Sequence, residues 1–341
     1  MNQDIQFACA PVLLIGFNRP DFIVAQIDAV RPARPSRLYL AVDGPRENRP
    51  EEAEQCRKVR DCEKLVDWPC EVRTLFRERN LGCKYGVSGA ITWFFENEIE
   101  GIVLEDDCRP TISFLRFATE MLERYKNDER IGAVCGFNAF NLQDDKSISY
   151  HFSHHMDVWG WASWRRVWME YDVEMIRIRE RAEDIIDGSK MTHYYKRMFK
   201  GFASAVENGL STWDVQFLLL IIAKGWLTIV PQRRLVANVG FADDRATHTS
   251  GYLYWGRHWS IMGEELKFPL VHPKEIVCDE AADYYHEKTF SSLFPRILTF
   301  VGSKFPRMRS CISVIGGVAE RFMPFLFGRT IFISRKGIQN T

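Results

Sequence analysis

An α/β fold with a mostly parallel central sheet flanked by helices is predicted from three features of this 341-residue sequence. Short apolar segments alternate with segments of helical periodicity through the N-terminal third of the chain, as in sheets built from strands and crossover helices. Polar residues follow directly after each apolar segment, where open parallel sheets place their ligand sites. The composition, 46% hydrophobic and 26% charged, is that of a folded globular protein.

The N-terminal third contains four predicted strands, each a short apolar or β-prone segment that ends near Asn, Asp, Gly or Pro. They lie at residues 11–17, 38–42, 71–76 and 101–104. Between them, apolar residues recur at helical spacing over residues 22–30, along a charged segment at 50–66, and from Gly82 to about residue 97. This part of the chain therefore predicts a β-α-β-α-β-α-β unit.

The remainder alternates less regularly. We predict helices at residues 111–127, 177–200 and 215–223, strands at 131–137 and 227–231, and a polar loop at 240–251. Residues 151–168 are dense in aromatic side chains. A change from acidic to basic composition near residues 278–288 predicts a main domain at 1–287 and a tail at 288–341.

The formal net charge is zero, but it is unevenly distributed. Residues 288–341 contain nine Lys or Arg and one acid, Glu320, so this tail carries +8 and the preceding 287 residues carry −8. Short helices with apolar and basic faces would fit the tail and would bring it to an anionic membrane surface. The alternative is that these helices only pack on the main domain.

The chain is expected to be cytoplasmic, with peripheral contact to the inner face of the membrane. Its N-terminus has an acid and no basic segment before a short apolar run, which is not the pattern of a signal peptide. The nine cysteines include no CxxC pair, which favours reduced thiols. No segment has the length of uninterrupted apolar sequence that a spanning helix needs. No nucleic-acid partner is expected.

The strongest chemical signal is the acidic triplet Glu105, Asp106 and Asp107, which directly follows the fourth predicted strand. Three carboxylates at the end of a buried strand are costly unless positive charge compensates them. A hard divalent cation held by one or two carboxylates and by substrate phosphates supplies that charge. The alternative is a solvated acidic turn, but the other polar loops at strand ends favour a metal site.

Arg19, Asp43 and Asn80 follow the first, second and third predicted strands. The Arg19 guanidinium suits a pyrophosphate, and the Asp43 carboxylate suits a base N–H or a ribose hydroxyl. A surface arginine and an ordinary Asp-Gly turn are the alternatives. The sequence thus indicates one site to which several strand ends contribute.

Two later acidic or basic positions are candidates for chemistry. Asp214 opens an apolar helix, so it is either a helix cap or a general base. His248 lies in a loop with Asp243, Asp244 and Arg245, and it could contact metal or phosphate, although a single loop histidine usually contacts neither. The chain has no GxSxG, HExxH, P-loop or GxGxxG pattern, which disfavours hydrolases, zinc proteases, P-loop kinases and dehydrogenases.

The order of these motifs resembles that of nucleotide-sugar glycosyltransferases of the GT-A fold, closest in layout to the N-acetylglucosaminyltransferase I type. The similar segments lie within about residues 11–250. They are VLLIGFNRPD, LAVDGP, NLGCKYGVSGAITWFF, GIVLEDDCRPTISFLRF, GWASWRRVW, the WD pair at Trp213-Asp214, and VGFADDRATHT.

The resemblance implies that Arg19, Asp43, Glu105 and Asp106 bind the donor, and we expect Asn80 and Trp161 to belong to the same donor-binding set. In that set Arg19 meets the diphosphate, Asp43 meets the uracil or ribose, and Glu105 and Asp106 support the nucleotide and the sugar. Asp107, with His248, is implied to hold Mn²⁺ or Mg²⁺.

The resemblance also implies that Asp214 deprotonates the acceptor hydroxyl, with inversion at the anomeric carbon, and we expect Gly160-Trp161 to form an apolar wall against the acceptor. The expected function is metal-dependent transfer of a sugar, from a UDP-sugar most readily, to a hydroxyl of a glycan or lipid-linked acceptor. One alternative is a nucleotidyltransferase on a related fold, which needs a Gly-rich phosphate loop and a lysine that are missing between Phe17 and Phe22. The other is a non-enzymatic nucleotide-binding, sugar-binding or membrane-associating protein, which leaves the convergence of Arg19, Asp43 and the acidic triplet unexplained.

Overall fold

The computed structural model describes residues 7–139, 147–243, 256–261 and 265–291. His248 and the tail beyond Ser291 lie outside these ranges. Within them the strands are β1 (Val12–Gly16), β2 (Arg37–Val42), β3 (Glu71–Phe76), β4 (Glu100–Glu105), β5 (Cys108–Pro110), β6 (Ile131–Cys135), β7 (Tyr150–Ser153), β8 (Trp161–Trp164), β9 (Leu227–Pro231) and β10 (Val236–Asn238). The α-helices are α1 (Pro20–Val30), α2 (Glu52–Asp61), α3 (Ser88–Asn97), α4 (Ile112–Tyr125), α5 (Arg165–Trp168), α6 (Ala182–Gly188), α7 (His193–Glu207), α8 (Asp214–Lys224), α9 (Gly256–Trp259) and α10 (Glu280–Ser291).

Eight strands form one sheet in the order β3-β2-β1-β4-β8-β6-β9-β7. The first four are parallel to one another, and β6 is parallel to β9. Strand β8 runs antiparallel between β4 and β6, and β7 runs antiparallel at the edge beside β9. The predicted α/β class, with a mostly parallel sheet flanked by helices, is therefore confirmed.

The four parallel strands carry the core. All five residues of β1 are buried, as are the four central residues of β4, and helices α1, α3 and α4 pack their apolar side chains on the same cluster. Helix α4 begins at Thr111, whose hydroxyl accepts from the Phe114 amide at 3.1 Å and so satisfies one of the free amides of the first turn. Because β1, β2 and β4 are buried on both faces, they appear in the sequence as short continuous apolar runs.

The charged segment predicted as one helix at 177–200 is two helices. Helix α6 ends at Gly188 and α7 begins at His193. Between them the Thr192 amide, just before α7, donates to the Glu287 carboxylate of α10 at 2.6 Å. An element distant in sequence thus accepts a hydrogen bond from the start of α7. Helices α6, α7 and α8 share a second apolar cluster that includes Ile186, Phe199 and Leu219.

The last described element is α10, which extends through Ser291. The boundary predicted between residues 287 and 288 therefore falls inside a helix. Among the residues that the structure describes, no helix combines the length and the apolar character that crossing a membrane requires.

Candidate functional site

The carboxyl ends of β1, β2 and β4 lie side by side and carry the polar loops singled out in the sequence. In the parallel register Gly16 of β1 is level with Val42 of β2, and Ile15 is level with Glu105 of β4. The chain after each of these strands therefore leaves the sheet at the same edge. This register brings Arg19, Asp43 and the acidic turn to one end of the molecule.

Arg19 and Asp106 bind each other. The Arg19 Nε donates to one Asp106 oxygen at 3.0 Å and its Nη2 donates to the other, which is a two-pronged charge-assisted pair. Both side chains are largely buried, with 14% and 11% exposed. Burial lowers the pKa of Arg19, but the attraction of Asp106 outweighs it, so that the pKa is raised above its ordinary value. The Nη1 atom of Arg19 is buried and has no hydrogen-bond partner among the residues that the structure describes, which leaves this donor for a ligand.

Two buried side chains hold the backbone of the acidic turn. The Gln26 amide, on α1, donates to the carbonyl oxygens of Glu105 and of Cys108, the latter at 3.1 Å. Arg109 donates to the Asp106 carbonyl at 2.6 Å, and its guanidinium lies 4.8 Å from the centre of the Phe22 ring. These bonds hold the backbone on both sides of the turn, so the turn that carries the three carboxylates is rigid.

Asp107 faces the strand that ends at Asn238. The Val239 amide donates to the Asp107 carbonyl at 2.9 Å, and a Cβ atom added to Gly240 would lie 2.6 Å from Asp107 Oδ2. Gly240 therefore has no room for a side chain beside this carboxylate. Burial and the neighbouring Asp106 raise the pKa of Asp107 to about 6, against the opposing effect of Arg19.

Asp214 is the first residue of α8, and one of its two carboxylate oxygens is already engaged. Oδ1 accepts from the Thr212 hydroxyl and from the Val215 amide, the latter at 2.9 Å. Both donors lie within two residues in sequence, so the side chain is held in a single orientation by local bonds. Asp214 thus lies one position after the N-cap residue Trp213, and its second oxygen, Oδ2, has no hydrogen-bond donor among the described residues.

Glu105 connects the acidic turn to the start of α8. Burial raises its pKa well above the ordinary range, and the nearby Asp107 and Asp214 add to the rise, whereas a hydrogen bond from the Trp213 side chain lowers it. Glu105 and Asp214, which are more than a hundred positions apart in the sequence, thus lie close enough for their carboxylates to repel each other. The structure therefore brings Glu105, Asp107 and Asp214 into one region.

The donor set of the acidic turn fits a hard divalent cation. Carboxylate oxygens are the ligands that Mg²⁺ and Mn²⁺ prefer, and these carboxylates lie near one another, with Arg19 and Arg109 as nearby cations among the described residues. Across the described residues, however, no three His, Cys, Asp or Glu side chains converge as a complete ligand set. Such a set is not required where one or two carboxylates share a cation with substrate phosphates. His248, the other predicted ligand, lies outside the described residues.

Asp43 and Asn80 join two strand-end loops. The Asp43 carboxylate accepts from the amides of Gly44, Leu81 and Gly82 at 3.0–3.1 Å, and Asn80 donates to the Gly44 carbonyl at 3.0 Å. The loops approach so closely that a Cβ atom on Gly44 would lie 2.5 Å from the Arg79 backbone. Burial nevertheless raises the pKa of Asp43. Asp43 and Asn80 therefore shape the edge of the site.

Trp161 lies in the core. It is fully buried and stacks with Trp213 at 5.9 Å between ring centroids and packs on Phe217 at 5.1 Å. A side chain without exposed surface does not form the accessible acceptor wall that we expected from the sequence. Its structural role is instead to support Trp213, whose side chain hydrogen-bonds Glu105.

Several residues that shape the site were missed by sequence reasoning, namely Gln26, Arg109, Thr212, Trp213 and Gly240. A buried amide in α1 and a hydroxyl two positions before Asp214 have no distinguishing pattern in one sequence. Arg109 and Gly240 lie near predicted site residues, and that proximity was the one signal available. Their roles depend on contacts between segments that are distant in sequence.

No model of a known protein family matches the chain, and no curated protein sequence matches it. Solved structures similar to parts of it include HddC from Yersinia pseudotuberculosis, with 11% identity over 48% of this chain and 80% of that one, at a TM-score of 0.30. GalNAc-T7, in a structure with UDP, GalNAc and Mn²⁺, has 12% identity over 66% of this chain and 43% of its own, at a TM-score of 0.39. The glycosyltransferase GlyE of Streptococcus pneumoniae TIGR4 has 9% identity over 61% and 45%, at a TM-score of 0.29. The matched regions thus span less than half of the latter two proteins, and these likenesses say nothing about which chemistry the site performs. The N-acetylglucosaminyltransferase I type is not among these three.

Proposed function

We propose that this protein is a metal-dependent glycosyltransferase that moves a sugar from a nucleoside-diphosphate sugar to an acceptor hydroxyl. The observation that carries the proposal is the gathering of Glu105, Asp107 and Asp214 at the carboxyl end of the parallel strands, beside the Arg19–Asp106 pair. Carboxylates that repel one another at a strand-end site favour a cation, and a cation also stabilises the charge that develops on a diphosphate leaving group. The sequence resemblance favours a UDP-sugar.

In this proposal the chain's own residues divide the work between the leaving group and the acceptor. Asp107 holds Mn²⁺ or Mg²⁺, which when bound stabilises the negative charge of the departing diphosphate. Arg19, kept in place by Asp106, presents its free Nη1 toward the phosphates. Asp43 and Asn80 shape the pocket edge for the nucleoside.

Asp214 acts on the acceptor. Its Oδ1 is held by Thr212 and Val215, so Oδ2 takes the proton from the acceptor hydroxyl as the new glycosidic bond forms. The bond between the anomeric carbon and the diphosphate breaks in the same step, and attack from the opposite face inverts the configuration. We propose a glycan or a lipid-linked saccharide as the acceptor, and an anionic membrane surface as a contact of the basic tail.

The metal assignment is tested by the thermal stability of the protein with UDP in the presence and absence of Mn²⁺. A ligand that binds only the folded state raises the melting temperature. We expect a UDP shift that depends on Mn²⁺ in the native protein and is lost in Asp107→Ala. Asp184→Ala, which removes an exposed carboxylate of α6, is the control and should keep the full shift.

Two other outcomes would change the interpretation. A full Mn²⁺-dependent shift in Asp107→Ala would remove Asp107 as the ligand. If the native protein binds UDP and Mn²⁺ but transfers no sugar, the non-enzymatic binding function is favoured, and transfer of a nucleotidyl group would favour a nucleotidyltransferase.

A further inference from the structure

Three segments that are distant in sequence meet beside Asp214. A Cβ atom added to Gly82 would lie 3.7 Å from the Ser211 hydroxyl, and the Cys83 side chain lies beside Thr212 and Trp213. The Tyr171 hydroxyl donates to the Trp213 carbonyl at 3.0 Å. Residues 82–85, 171–175 and 211–214 therefore form one rim of the candidate site, which we call the Asp214 rim.

Tyr85 stands on this rim with its ring held in place and half exposed. Its hydroxyl donates to Glu174 Oε1 at 2.7 Å, while Lys84 donates to the other oxygen of the same carboxylate at 2.8 Å. The Lys84 ammonium also lies 5.2 Å from the centre of the Tyr85 ring. With 49% of its surface exposed, Tyr85 is one of the more exposed large side chains among the described residues. An aromatic face that is both fixed and open to solvent is suited to binding.

Tyr85 belongs to the segment that joins the expected donor and acceptor sides. Tyr85 follows Cys83 by two positions, so their Cα atoms are at most about 7.6 Å apart. On its other side Gly86 faces Asp43, because a Cβ atom added to Gly86 would lie 2.9 Å from Asp43 Oδ2. The segment is a π-helix, Cys83–Val87, and such irregular turns occur frequently at functional sites.

Resting on the proposed function, we propose that the exposed face of Tyr85 is an acceptor-binding platform on which a pyranose ring of a saccharide acceptor stacks. A pyranose ring has an apolar C–H face and a hydroxyl-bearing edge. The Tyr85 face matches the first, and the carboxylate of Glu174, 45% exposed at the ring's edge, accepts from the second. The hydroxyls of a saccharide, unlike a purely apolar acceptor, can hydrogen-bond to this partly exposed carboxylate. Tyr85 is thus assigned to acceptor specificity, and Glu174 is its positioning residue.

The test measures saccharide binding by NMR saturation transfer, with UDP and Mn²⁺ present and a panel of methyl and p-nitrophenyl glycosides as probes. We expect Tyr85→Ala to weaken binding of the saccharide that binds the native protein by about five- to tenfold, in line with the contribution of one aromatic contact. Tyr85→Phe keeps the ring and should retain most of the affinity. Glu174→Gln should lie between them, because it removes the charge that fixes both Tyr85 and Lys84.

Tyr284→Ala is the matched control. Tyr284 lies on α10, is 50% exposed, and has the Lys288 ammonium 5.2 Å from its ring, so it shares the exposure and the cation of Tyr85 without the site. The inference is overturned if Tyr85→Ala and Tyr284→Ala behave alike, or if no saccharide binds the native protein. The Mn²⁺-dependent UDP shift, measured on the same variants, separates the two failures: its retention with unchanged saccharide binding rejects only the platform, whereas its absence from the native protein rejects the proposed function.

Discussion

At the scale of single residues, the most informative arrangement is the local clamp on Asp214. One carboxylate oxygen is occupied by the Thr212 hydroxyl and the Val215 amide, so only the other can take a proton from an acceptor. Thr212 and Val215 lie within two positions of Asp214, so the orientation of this carboxylate at the start of α8 does not depend on contacts from distant segments. In the proposed function, Asp214 carries the chemistry and Thr212 orients its carboxylate.

We therefore predict different effects for variants of these two residues. Asp214→Asn should lower kcat by about 10²–10⁴-fold, the usual contribution of a general base, with donor binding unchanged. Thr212→Val should lower kcat by about tenfold through loss of one hydrogen bond to a charged group, and Thr212→Ser should restore it. The measurement is steady-state transfer together with the UDP thermal shift. Native turnover in Asp214→Asn would leave Asp214 as a helix cap alone.

The same residues show how far one sequence reaches. The acidic triplet and Asp214 were identified because carboxylates stood at predicted strand and helix ends. That Arg19 pairs with Asp106, and that Asp43 accepts three amides from its neighbouring loops, could not be read from the sequence. Both pairings join segments that only the folded sheet brings together. Trp161 was misplaced because an aromatic residue next to a glycine looks the same in a core as at a surface.

At the scale of elements, the regular strands were predictable and the short ones were not. β3 and β9 have the predicted bounds, since each is a β-prone segment between turn-forming residues. β5 and β10 have three residues each, and they exist because they pair with each other across more than a hundred positions. Helix α10 lacks a strong apolar stripe and is held by polar contacts, so its pattern did not indicate a helix.

Those polar contacts form a buried network between α10 and the edge of the sheet. Glu287 accepts from His155 at 2.8 Å, and Asp283 accepts from the Ser153 hydroxyl at 2.5 Å and from the His154 amide at 2.9 Å. Asp157 lies 4.0 Å from His286. Burial raises the pKa of Asp157 to about 7, against the attraction of His155, and burial lowers the pKa of His286 to about 3.

This network predicts a pH-dependent stability effect of Asp157. The pKa of Asp157 is higher in the folded protein than in the unfolded chain. Its favourable contribution to the free energy of unfolding is therefore complete below the unfolded pKa and is lost as pH rises through about 7. Asn cannot ionise, so the melting temperature of Asp157→Asn relative to the native protein should rise between about pH 5 and about pH 8. Asp184→Asn, at an exposed position of α6, is the control and should show no such trend. A constant or falling difference in melting temperature would show that ionisation of Asp157 does not destabilise the folded protein.

At the scale of the whole molecule, the question is how the basic tail relates to the catalytic domain. The described structure continues through α10, and Glu287 within it accepts from the Thr192 amide at 2.6 Å. A cut at the sequence-predicted boundary after residue 287 would sever this helix. Residues 292–341 still contain eight Lys or Arg against the single acid Glu320, so a cut after Ser291 removes the charge and keeps the helix.

We predict that the full chain sediments with vesicles rich in anionic lipid and is released at high salt, because each Lys or Arg near such a surface contributes about 1 kcal/mol. The chain that ends at Ser291 should stay in solution with the same vesicles and should keep the Mn²⁺-dependent UDP shift. Neutral vesicles are the control for apolar adsorption. If the full chain ignores anionic vesicles, or if the shortened chain loses the UDP shift, the tail packs on the catalytic domain and the acceptor is more naturally a soluble glycan. If both expectations hold, the tail brings the Asp214 rim to a membrane surface, where a lipid-linked saccharide would meet Tyr85.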